Sequence, residues 1–71
     1  MINIPQMTDE YEIVEKAVLV LRNIHDIEGY TIDNHTLNHI VSIFMEQTGK
    51  GYTYSYKKVL QILTEMGYRV A

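Results

Sequence analysis

The sequence predicts an all-α fold, a compact three-helix domain with room for a minor short strand pair, formed by residues 1–71 as one unit. Three observations carry this. A stretch of helical periodicity runs from Thr8 to Ile27, and its middle, Ala17-Val18-Leu19-Val20-Leu21, is apolar at every position. Two more helix-like runs follow, and a Gly-Tyr pair stands after each of the three: Gly29-Tyr30, Gly51-Tyr52 and Gly67-Tyr68. A glycine just past a helix readily turns left-handed, and an apolar residue behind it packs back on the last turn. Finally, 71 residues at 46% apolar content suffice for one small core, near the lower limit for a self-supporting domain. Dimerisation is one way to bury more.

The helices are expected at about 8–28, 33–48 and 55–66. Before the first, Met1 to Gln6 alternates Ile2 and Ile4 with polar positions, which suits either a short edge strand or an arm. Thr8 is a good N-cap, followed by Asp9 and Glu10 in a first turn whose dipole favours carboxylates. On a 3.6-residue helix Ile13, Val14, Ala17, Val18, Val20, Leu21, Ile24 and Ile27 cover about half the circumference, so this helix needs neighbours on two sides. Leu19 falls opposite, among Glu12, Glu15 and Arg22. An apolar side chain set in charge there makes those four residues the expected partner-binding surface.

A short internal echo relates residues 29–40 to residues 51–62 through the frame G-Y-T-apolar-[D/S]. It reads as a helix start used twice. Asp33 and Ser55 are the expected N-caps, with Ile32 and Tyr54 stapling onto Leu37 and Val59. The second helix should bury Leu37, Ile40, Val41, Ile43, Phe44 and Met45 and expose His35, Asn38, His39, Ser42 and Glu46. The third should bury Tyr56, Val59, Leu60, Ile62, Leu63 and Met66. Between them GKGYTY suits a loop or two or three residues of strand, and Tyr68-Arg69-Val70 alternates like a strand able to pair with Ile2–Ile4 or Tyr30–Ile32.

The formal charge of −3 argues against a general polyanion binder, yet it conceals a division. Residues 1–48 carry eight of the nine acids against Lys16 and Arg22, whereas residues 49–71 carry Lys50, Lys57, Lys58 and Arg69 against Glu65 alone. The absence of cysteine excludes disulfides and thiolate metal sites and suits a reducing compartment. No apolar run approaches the roughly 18 residues of a membrane span and no leader pattern opens the chain, so the expected location is cytoplasmic, without membrane contact. A chain this short, opening on its own Met, suits a phage or mobile-element accessory gene.

No catalytic set emerges, and the chain is expected to be no enzyme and to need no cofactor. His35 and His39 stand at i and i+4, a spacing at which two imidazoles can share a metal. In HTLNH, however, Thr replaces the Glu general base of the zincin pattern, so two solvated histidines are the better account and no metal site is assigned. His25, at the edge of the first helix's apolar arc, reads as a partly buried histidine bonded to a neighbour. Gly49-Lys50-Gly51 lacks the frame of a phosphate-binding loop. Tyr52, Tyr54 and Tyr56 alternate between Lys50 and Lys57-Lys58, a mixture that can stack bases and hold phosphates but equally seals a loop against a small core.

The order helix, short extended piece, helix, turn, helix, short strand is similar in outline to winged-helix and helix-turn-helix domains. That resemblance implies a third helix that reads DNA with Lys57, Lys58 and Gln61, assisted by Lys50. Two features depart from it: the turn before the third helix looks long, and the chain stops at Ala71 where a wing would follow. The favoured expectation is therefore a small non-enzymatic regulatory or adaptor protein that binds another protein, able to act as a homodimer. A helix-turn-helix-like DNA-binding regulator is the alternative.

Overall fold

A computed structural model of the chain describes residues 6–24 and 29–71, with side chains from Glu10 onward in the first stretch. Three helices and one short strand pair make up the described residues. Helix α1 spans Gln6–Ile24, strand β1 Thr31–Ile32, helix α2 Asn34–Thr48, helix α3 Tyr52–Glu65 and strand β2 Arg69–Val70. This is the all-α three-helix domain with a minor strand pair. The expectations for Ile2, Ile4, His25 and Ile27 fall outside the described residues.

Helix α1 begins at Gln6, so Thr8 lies inside the first turn and is not its N-cap. Its buried face is narrower than the apolar content suggests. Val14, Ala17, Val18 and Leu21 enter the core, but Val20 and Ile24, expected to be buried, are 56% and 67% exposed. The reason is geometric: α2 and α3 both pack on one side of α1, and two neighbours on one side cover an arc well short of half a cylinder. The centre of the core is Phe44 of α2, fully buried together with Ile40, Val59, Leu63 and Ile32.

Helix α2 starts as the sequence indicates. Asp33 has extended backbone (φ −83°, ψ 171°), and its Oδ1 accepts the Thr36 amide at 2.8 Å. Ile32 and Leu37, either side of that cap, are both buried. The second half of the echo behaves differently. Helix α2 ends on Gly49 with φ 76°, and Gly51, not Ser55, is the N-cap of α3. Ser55 is already the fourth helical residue, its amide donating to Gly51 O at 3.0 Å. Other contacts overrode the cap preference: Tyr52 stacks on Tyr56 at 5.8 Å one turn along the same helix, and the Tyr54 ring packs 6.4 Å from Phe44 of α2. Hence GKGYTY holds neither loop nor strand beyond Gly51, and the turn between α2 and α3 is only Gly49-Lys50-Gly51.

The last turn of α3 closes as a Schellman motif. Gly67 (φ 94°) donates to Thr64 O at 3.0 Å and Tyr68 to Leu63 O at 2.9 Å. The chain then reverses into β2, which runs parallel to β1 with Thr31 opposite Arg69 and Ile32 opposite Val70. Arg69 N–H donates to Tyr30 O at 2.7 Å and Ala71 N–H to Ile32 O at 2.8 Å. Of the two pairings open to the tail, this is the one with Tyr30–Ile32. Among the described residues no helix is long and apolar enough to cross a membrane.

Candidate functional site: the outer face of helix α1

Helix α1 borders two different grooves, one at each edge of its buried stripe. On the first, Ile13, Ala17, Val20 and Ile24 follow a 4-3-4 spacing, the interval of a helix–helix seam. Against α2 this seam opens a groove of about 530 Å³ floored by Ile13, Ala17 and Ile43 and rimmed by Glu12, Lys16 and Gln47. Its end, Val20 and Ile24, lies in the open.

On the second, Tyr11, Glu15, Val18 and Arg22 recur at i, i+4, i+7 and i+11 and look toward the strand pair and the end of α3. Here lies a groove of about 410 Å³ whose α1 wall includes Tyr11, Glu15 and Leu19, and whose far wall includes Tyr30, Tyr68 and Glu65. Leu19 is 59% exposed at its lip. The Tyr30 and Tyr68 rings meet edge to face at 5.1 Å. Arg22 fixes this corner: Nη1 donates to Tyr68 Oη at 3.0 Å and to Gly29 O at 3.3 Å.

The four expected partner-binding residues are therefore divided. Leu19 and Glu15 share the tyrosine-lined groove, and Arg22 bounds it but is engaged in holding its wall. Glu12 lies on the rim of the other groove. Sequence reasoning missed Tyr30, Tyr68 and Val20, the first two because the strand pair that joins them links distant parts of the chain. It had a usable signal for Val20: the 4-3-4 spacing of an apolar seam distinct from the core stripe.

The α3 set is more entangled than its exposure on a helical wheel suggests. Lys57 is exposed. Lys58 Nζ lies 4.0 Å from Glu10 Oε1, and Lys50 Nζ sits 5.2 Å above the Tyr54 ring. Tyr54 Oη donates to Glu10 Oε2 at 3.0 Å, and Gln61 makes a long contact of 3.4 Å with Glu65. The Tyr54 phenol is pushed above its ordinary range chiefly because ionising it would break the hydrogen bond it donates to Glu10, with desolvation and the repulsion of the Glu10 charge adding to that. His35 and His39 are both exposed on α2, and among the described residues no three His, Asp or Glu side chains gather as a metal site would require.

No protein-family model, no curated protein and no solved structure matches the chain.

Proposed function

We propose that this chain is a small, non-enzymatic cytoplasmic adaptor or regulatory protein that binds another protein through the outer face of α1 and is able to pair with itself. One observation carries the reading: Leu19, Val20 and Ile24 are 59%, 56% and 67% exposed on a helix otherwise dressed in charge. A lone exposed aliphatic residue is ordinary, but three within six positions, bordered by a groove on either side, form a surface that gains by being covered. The 4-3-4 seam suits a partner helix, a second copy of α1 included. Sedimentation of the wild type beside Ile24→Glu tests the pairing, and affinity capture with and without nuclease tests the partner. Monomers at every concentration, together with no nuclease-resistant partner, would defeat the reading.

A DNA-binding regulator working through α3 is the second reading. The observation in its favour is the three-residue glycine turn between α2 and α3, the length found in helix-turn-helix motifs. Exposed Lys57 and Gln61 suit phosphate and base contacts, with Lys50 and Lys58 available once freed from Tyr54 and Glu10. It ranks second because Glu10 sets a carboxylate beside Lys58 and the whole chain carries a formal charge of −3. Duplex binding that weakens steeply with salt and vanishes in Lys57→Glu/Lys58→Glu would reverse the order.

A further inference from the structure

The groove beside Leu19 has a composition that the adaptor reading does not use. Three tyrosines, Tyr11, Tyr30 and Tyr68, contribute to its walls, and two carboxylates, Glu15 and Glu65, stand across from one another on α1 and at the end of α3. Among the described residues its lining contains no cation. At its edge Arg22 is drawn to Tyr68 Oη and Gly29 O. Gln61 approaches only the Oε2 atom of Glu65.

We infer that this groove receives an arginine side chain presented by the protein partner. The lining supplies the kinds of group that this side chain uses. An arginine has an aliphatic stem and a planar, permanently charged head. Leu19 and the half-buried Met66 offer the apolar surface for the stem. Tyrosine faces attract a guanidinium through the ring quadrupole and stack on its plane. The carboxylates of Glu15 and Glu65 in its walls can accept the N–H donors of that head. Tyr30 is 61% exposed, so its ring is open to such a contact without displacing core atoms. The charge also fits, because the groove carries two carboxylates on a chain of formal charge −3, and a basic partner segment is their complement.

This inference rests on the protein-binding reading, and its test separates the two. The probe is a blocked Gly-Arg-Gly peptide, followed by amide chemical shifts of the whole chain, beside the same peptide with neutral citrulline replacing arginine. The expected result is saturable shifts at Glu15, Leu19, Tyr30 and Tyr68, with the citrulline peptide about tenfold weaker, a difference of about 1.4 kcal/mol. Tyr30→Ala and the pair Glu15→Gln/Glu65→Gln, all at exposed positions, should each weaken the arginine peptide severalfold while leaving the remaining shifts native. Shifts centred on Glu12 or Glu46 instead, equal binding of citrulline, or a blocked lysine peptide outcompeting arginine would overturn it. A partner whose capture is lost in Leu19→Glu but untouched in Tyr30→Ala and Glu15→Gln/Glu65→Gln would overturn the arginine site and leave the adaptor reading standing. Absence of any partner defeats the adaptor reading, and the peptide titration still decides the groove.

Discussion

The Tyr54 hydroxyl donates to Glu10 at 3.0 Å, joining the first turn of α3 to the first turns of α1 across 44 positions of sequence. Lys58 approaches the other oxygen of the same carboxylate. One acid therefore anchors two residues of the helix on which a DNA-binding reading depends.

A pH prediction follows from that bond. Because the phenol is held protonated, its contribution to folding is complete below the ordinary tyrosine value of about 10 and is lost as pH climbs through the raised one. Followed by its ring carbon resonances, Tyr54 should ionise above the ordinary tyrosine range, and Glu10→Ala should bring it back toward that range. Titration of Tyr54 within the ordinary range in the wild type would show that the bond does not persist in solution.

Arg22 is expected to matter more to stability than to binding. Its Nη1 bonds to both Tyr68 Oη and Gly29 O, so truncation frees the entry to both strands at once. Arg22→Ala should cost about 1 kcal/mol by urea denaturation. A variant as stable as the wild type would return Arg22 to the list of simple contact residues.

Ser55 is fully buried and its Oγ has no hydrogen-bond partner among the described residues. A hydroxyl stripped of water without compensation is a standing cost, and alanine is both smaller in polarity and better in a helix. Ser55→Ala is therefore predicted to stabilise the chain by about 1 kcal/mol. Thermal unfolding decides it: a lowered melting temperature would mean that the hydroxyl has a partner after all.

The two exposed sides of α1 should respond differently to charge. Ile24→Glu breaks the seam beside α2, and Leu19→Glu alters the lip of the tyrosine groove; neither touches the core, so both should fold as the wild type by circular dichroism. Self-association is expected to fall in Ile24→Glu and partner capture in Leu19→Glu. Identical effects on both measurements would merge the two surfaces into one.

How far these features were legible depends on whether their cause was local. Asp33 could be read as a cap because its bond to Thr36 spans three residues, and Gly67 as a stop because the Schellman pair needs only the preceding turn. Ser55 was misread for the opposite reason: Tyr54 is fixed by Phe44 and Glu10, partners that local pattern does not reveal, and the helix was drawn back to Gly51. Val20 and Ile24 were counted as core because hydrophobicity marks what gains from burial without saying whether a neighbour exists to bury it. The same limit explains the site. Leu19 and Glu15 were found on one helix by periodicity, but their counterparts Tyr30, Glu65 and Tyr68 arrive from two other segments.

The strand pair has a consequence for time as well as for shape. Each strand is two residues long, and so small a ladder opens far more often than the helices it closes. Tyr30 immediately precedes one strand and Tyr68 the other, so each opening takes the aromatic wall of the groove apart, and each closing rebuilds it. Anything lodged against those rings must hold the ladder shut. The amide protons of Arg69 and Ala71, bonded to Tyr30 O and Ile32 O, would then exchange with solvent more slowly in proportion to occupancy, making two backbone hydrogens a built-in gauge of whether the groove is filled.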